Sequence, residues 1–271
     1  MPRCQHYDMT VHIGLDLTAG SRPSSLAALD DTAHLLAWGQ GLTDTDLLAW
    51  IAGYPAALIA VDAPLSLPLG LCCLEPSCRC RPGGPGAGRS CERALSRLGL
   101  GCYYTTKRSI IKALVYRAIA LKAALEAAGH TVIEVYPHAS RVRLLGRLPK
   151  KTTLAGRRAT QRGLQPLVAG LPSPDEMLLD HDTLDAVLAA YTGWLCGRGQ
   201  TVPLGDPAEG LLYIPAQQAS LAVSDGWDSA TTRRGNCSPS RRFVRFRGGP
   251  TRPWTARRQE TRFPATCGRV G

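Results

Sequence analysis

Five acidic residues could do chemistry together: Asp16, Asp62, Glu134, Asp182 and Asp185. Carboxylate oxygens are hard ligands that suit Mg2+ or Mn2+ rather than zinc. Two such ions, held roughly 3.5–4 Å apart, can activate a water and stabilise the leaving oxygen of a phosphodiester. A single carboxylate cannot do this, because charge develops at both the entering and the leaving oxygen. The acids must therefore come from different elements and meet.

The surrounding residues say which elements those are. Val11, Ile13 and Leu15 alternate with other residues, as in a strand with one buried face, and that strand ends at Asp16 before the turn Thr18-Ala19-Gly20-Ser21. Ala56 to Val61 is an unbroken apolar run, the pattern of a strand buried on both faces in a parallel sheet. It ends at Asp62, and Pro64 prevents further ladder pairing. Thr131 to Tyr136 is β-branched and strand-like, with Glu134 in its middle and Pro137 as its stop. A carboxylate buried there is costly unless paired or coordinated. Pro174 to Gly197 reads as a helix with Leu184, Val187, Leu188, Tyr191 and Leu195 on one stripe. Asp182 and Asp185, three residues apart, share an edge of it, and His181 can join them. Each acid also has an ordinary reading. Asp16 can open a polar turn, Glu134 can face solvent, and Asp182 can favour the helix macrodipole.

The remaining pattern fills in the scaffold. Ser24–Asp31 and His34–Gln40 read as strands that complete an antiparallel meander. Thr43 caps a short helix through Tyr54, with Leu47, Leu48 and Ile51 as its apolar stripe. Cys91 to Leu98 is a short helix bearing Arg93 and Arg97. Thr105 or Thr106 caps a long helix to Ala128, with Ile110, Ile111, Leu114, Ile119, Leu121 and Leu125 facing the core. Residues 138–172 are basic and loosely helical, and include Lys150 and Lys151. Such a run is a solvated face or a track for a phosphate backbone. Asp206-Pro207 and Gly210 to Pro215 complete the ordered part.

The net charge of +11 is uneven: residues 216–271 hold 11 Arg and 3 acids, a balance of +8, which leaves +3 for the rest. Periodicity vanishes in that tail, which is rich in Arg, Gly, Ser, Thr and Pro and is expected to be disordered. No stretch approaches the roughly 20 apolar residues of a spanning helix, and Met1 to Asp8 lacks the apolar core of a secretory signal. A soluble cytoplasmic protein, not a membrane one, is the expectation. Ten cysteines in such a protein point to reduced thiols or metal rather than disulfides. Cys72, Cys78, Cys80 and Cys91 are candidate ligands for a structural Zn2+. The adjacent Cys72-Cys73 and the one-residue gap between Cys78 and Cys80 depart from the usual paired spacing, so incidental thiols in a flexible insertion are the alternative.

Six segments together resemble the ribonuclease H-like fold and, more narrowly, an uncharacterised-function family of predicted nucleases built on it. They are residues 14–21, Val61-Asp-Ala-Pro-Leu-Ser66, Cys91-Glu-Arg93, Val132-Ile-Glu-Val-Tyr-Pro137, His181-Asp-Thr-Leu-Asp-Ala186 and Gly205-Asp-Pro-Ala-Glu-Gly210. The resemblance implies an α/β protein with a mixed five-stranded sheet, an antiparallel meander plus parallel strands, flanked by helices. The domain would span 1–215 with a Cys-rich insertion at 67–91, and neither that insertion nor the tail has a counterpart in the pattern. It also implies a nuclease acting on DNA or RNA with Mg2+ or Mn2+. Asp16, Asp62 and Asp185 would be metal ligands, Asp182 and Glu134 further catalytic acids, and Arg93, Lys107, Lys150 and Lys151 contacts to nucleic acid. Two alternatives share the fold: an ATP-binding phosphotransferase like actin or the sugar kinases, and a nucleic-acid-binding module without turnover.

Overall fold

The computed structural model describes residues 11–19 and 23–217. They lie within the unit Met1–Ala219; the expectation of a disordered tail at 216–271 falls, from residue 218 on, outside the described residues.

The alternation of the first segment does form strand β1, Val11–Asp16. Asp30 accepts hydrogen bonds from the backbone of Thr32 and His34, closing the turn between β2, Ser24–Asp30, and β3, Leu35–Leu42. β1, β2 and β3 pair in antiparallel succession. Thr43 caps α1, Asp44–Ile51, through a reciprocal pair of bonds with Asp46. The apolar run becomes β4, Leu58–Asp62, with Leu58 to Val61 fully covered, and it lies parallel to β1. A long loop leads to α2, Ser90–Arg97. Then come α3, Lys112–Ala127, and β5, Thr131–Val135, which is parallel to β4. Helices α4, Pro137–Leu145, and α5, Leu154–Leu164, account for the basic stretch, and α6, His181–Gly197, follows.

This is the mixed α/β plan expected from the sequence, a meander continued by parallel strands, but the sheet has seven strands rather than five. A hairpin of β6, Thr201–Asp206, and β7, Gly210–Pro215, extends it, giving the order β3-β2-β1-β4-β5-β7-β6. β7 joins β5 through only two register pairs, Glu134 with Leu212 and Val135 with Tyr213. The hairpin is half-exposed and short, so its sequence lacked a strong apolar period. The start of α3 also differs. It begins at Lys112 without a side-chain cap, Ile110 is 82% exposed, and Val115, Ala118, Leu121 and Leu125 form the buried stripe. Helix α6 begins at His181, seven residues later than expected, where the Asp180 carboxylate accepts from Asp182 and Thr183 N–H.

The sheet is covered on both faces. One apolar cluster joins Ile13, Leu15, Ile59 and Val61 to α1 and α3. A second joins Ala27, Leu29 and Leu35 to α6. Gly14 makes the α6 side possible: a Cβ there would collide with the Ala186 carbonyl and the Ala190 amide. The helix backbone therefore sits directly on β1. Gly197 at its far end lies over His12, so α6 runs antiparallel to β1 and its first turn arrives at the Asp16 end.

Candidate active site

Asp16 and Asp62 are direct register partners on the adjacent parallel strands β1 and β4. Side chains paired in this way share a face, with their strands about 4.8 Å apart. Both strands end at their acid, so the carboxylates stand on rigid elements at the C-terminal edge of the sheet. Helix α6 brings Asp185, 2% exposed, and Asp182 to the same end. The turn after Asp16 is held from α3: Arg117 donates to the Thr18 carbonyl at 2.6 Å and also grips Asp44.

The acids perturb one another strongly. Burial, followed by the charges of Asp62, Asp185 and Asp182, pushes the Asp16 carboxyl up to about 9. Burial and then Asp185 push Asp62 up to about 8. Asp185 is raised by burial, against the opposing pull of Lys151. The Lys151 ammonium forms an ion pair with Asp185 while its side chain stays 42% exposed, and Asp185 holds its proton affinity above the ordinary lysine range despite burial. Lys151, grouped by sequence with the nucleic-acid contacts, is thus a member of the acid cluster. His181 is turned onto Asp182, 2.6 Å away.

Glu134 does not join this cluster in the way its sequence setting suggested. Both its oxygens face Arg89: Nη1 and Nη2 each donate at 2.6 Å, and Leu65 N–H donates at 2.8 Å. Arg89 is itself 1% exposed and also donates from Nε to Glu92 at 2.9 Å. Glu92 accepts in addition from the Thr105 amide and hydroxyl. The cost of burying Glu134 is thus offset by a bidentate guanidinium, not by a cation site. Arg89 went unnoticed in the sequence because it looks like one more arginine of a Gly-rich loop; its place three residues before Glu92 was the available signal.

The other expected basic contacts are scattered. Arg93 folds back to the Ala87 and Gly88 carbonyls, and Lys107 donates to the Cys78 carbonyl. Lys150 is exposed beside Lys151.

The cysteine set also needs correcting. Cys72, Cys73, Cys78 and Cys80 have their sulfurs within 4.8 Å of one another. Cys91 is fully buried against Leu95, Leu100 and Ile214 and takes no part. Cys73, absent from the expected set, takes its place. Among the described residues, this quartet is the group of donors that gathers so tightly; the four acids do not.

Among the described residues no helix is long and apolar enough to cross a membrane. Comparison with curated proteins finds no significant match. A solved structure of RuvC from Thermus thermophilus is similar at a TM-score of 0.34 and 13% identity, over 70% of this chain and 96% of that one. The model of the family described as "Protein of unknown function (DUF429)" matches residues 14–210, and the chain belongs to that family.

Proposed function

We propose that this protein is a metal-dependent nuclease that hydrolyses phosphodiester bonds of DNA or RNA at the cluster of Asp16, Asp62 and Asp185. The observation that most supports this reading is the register pairing of Asp16 with Asp62, with Asp185 facing them from α6. The donor set fits Mg2+ or Mn2+: it is all oxygen, partly buried and self-repelling, so a divalent cation relieves what burial and like charge impose. Asp16, Asp62 and Asp185 would hold the metal, with Asp182 at the rim. When bound, such an ion supplies Lewis acidity and a water of lowered pKa.

The chain's own residues do the rest. The strand ends fix the two aspartates, which limits their motion. Burial and like charge disfavour the ionised forms of Asp16 and Asp62, and a bound cation favours them. Lys151, paired with Asp185 yet partly exposed, offers its ammonium to a substrate phosphate once a cation satisfies that acid. Exposed Lys150 extends the positive charge outward.

The test is cleavage of single- and double-stranded DNA and RNA by the full chain with Mg2+ or Mn2+. Cleavage that EDTA removes, and that Asp16→Asn and Asp62→Asn each abolish, is the expected result. Cleavage undiminished in both variants overturns the assignment of these residues. Absence of cleavage on every substrate, with saturable ATP binding, would replace it with the phosphotransferase reading.

A further inference from the structure

The Cys-rich part of the long loop between β4 and α2 has little core of its own: Leu71 and Leu74 are its buried apolar anchors, packed on Val115 of α3. It is nevertheless tightly folded at one place. The amide of Cys78 donates to the Glu75 carbonyl at 3.1 Å, closing a turn that carries Cys78 and Cys80 back onto Cys72 and Cys73. All four sulfurs come within 4.8 Å of one another, and those of Cys72 and Cys78 are 3.5 Å apart. A zinc ion with four thiolates at about 2.3 Å spans a tetrahedron with edges of about 3.8 Å, close to this spacing.

We propose that Cys72, Cys73, Cys78 and Cys80 form a closed tetrathiolate zinc site that staples this loop. Three features favour a metal over chance or disulfides. The sulfurs form one mutual group rather than two separate pairs, which is what a central ion requires. The cysteines are free, with no disulfide among them. Finally, Arg79, Arg81 and Lys107 line the same hollow as Cys78 and Cys80, and the Lys107 ammonium is fixed to the Cys78 carbonyl. Four thiolates around Zn2+ carry a net charge of −2, which these cations balance. All four positions are filled by protein, so the site is structural, with no open place for a substrate.

The site is unlike the acid cluster in ligand type, so the two can be tested apart. The full chain, purified under reducing conditions, is analysed for metal and then reconstituted with Co2+ as a spectroscopic probe. One zinc per chain is expected, and Co2+ should give the near-ultraviolet thiolate charge-transfer and intense visible bands of a tetrahedral sulfur site. Cys78→Ser with Cys80→Ser should abolish both, whereas Asp16→Asn with Asp62→Asn should leave both unchanged. Trypsin adds a second readout: Arg79 is exposed, and cleavage after it should be slow with metal and at least ten-fold faster in the cysteine variant. A Co2+ spectrum without thiolate bands, or metal content unaffected by the cysteine substitutions, would overturn the proposal. So would a reduced chain that takes up no Zn2+.

Discussion

Arg89 and Glu134 form a two-pronged ion pair, with both contacts at 2.6 Å and both side chains almost wholly out of water. It ties the end of the cysteine loop to the middle of β5. Removing one partner strands the other charge, so Arg89→Ala is expected to cost about 3–5 kcal/mol. Replacing both, as Arg89→Met with Glu134→Leu, should recover only part of that loss, because buried Glu92 still loses its guanidinium partner. Urea midpoints of the two single variants and the double variant measure the coupling.

The raised carboxyls make a definite statement about pH. Asp16 and Asp62 bind protons more tightly folded than unfolded, up to about 9 and about 8. From pH 4 upward the unfolded chain therefore holds fewer protons than the folded one, and the metal-free protein loses stability as pH rises toward 9. Asp16→Asn imitates the protonated form and should stabilise the metal-free protein at pH 8 by on the order of 1 kcal/mol or more, since one pKa unit is worth about 1.4 kcal/mol. Thermal melts at pH 5 and pH 8 with EDTA provide the measurement; equal shifts at both pH values would contradict it.

His12 acts in the opposite sense. It is buried under α6, neither ring nitrogen has a hydrogen-bond partner, and burial followed by the Arg198 charge lowers it to about 4. Its neutral form is the one that fits, so its contribution is complete above pH 6.5 and is lost as pH falls toward 4. At most about 3.5 kcal/mol is at stake at one pKa unit per 1.4 kcal/mol. His12→Leu should flatten the acid limb of the stability profile.

Lys151 balances two roles. Lys151→Met removes the cation paired with Asp185, so Mn2+ should bind several-fold more tightly by calorimetry. Nucleic-acid binding should weaken across all sequences, and the logarithmic salt slope should fall by about 1, as for the loss of one phosphate contact. An unchanged slope would place Lys151 outside the interface.

Gly14 sets the seat of α6 on β1. Gly14→Val must push the helix backbone away, and overpacking of this kind costs about 1–3 kcal/mol or more. Because Asp185 rides on α6, cation affinity should fall along with the melting temperature.

How much of this could be read from the residues depends on how local the cause is. Asp16 and Asp62 were legible because each follows an apolar run that could only be a strand, and sheet pairing then brings strand ends together. Asp185 was legible as an acid beside an apolar stripe. Glu134 looked equivalent, but its partner lies 45 positions earlier on a loop, and no spacing rule reports such a pairing. The same holds for Cys73, whose place in the quartet depends on a turn at Glu75–Cys78 rather than on ligand spacing. The β6–β7 hairpin escaped notice because strands that are half-exposed and interrupted by Pro203 carry little periodicity.

That hairpin has a consequence for how the molecule opens. Its join to β5 is only two residue pairs long, yet Glu209 at its tip accepts from the amides of Leu69 and Ser90, at both ends of the cysteine loop. A fluctuation that unzips this seam would release Glu209 and the hairpin, while the cysteine loop stays held by Arg89 on Glu134 and by Leu71 and Leu74 on α3. The hairpin is a unit that can detach while β1, β4 and α6 stay folded. Amide exchange should therefore be fast and concerted across residues 201–215, and slow at the strands that carry Asp16 and Asp62.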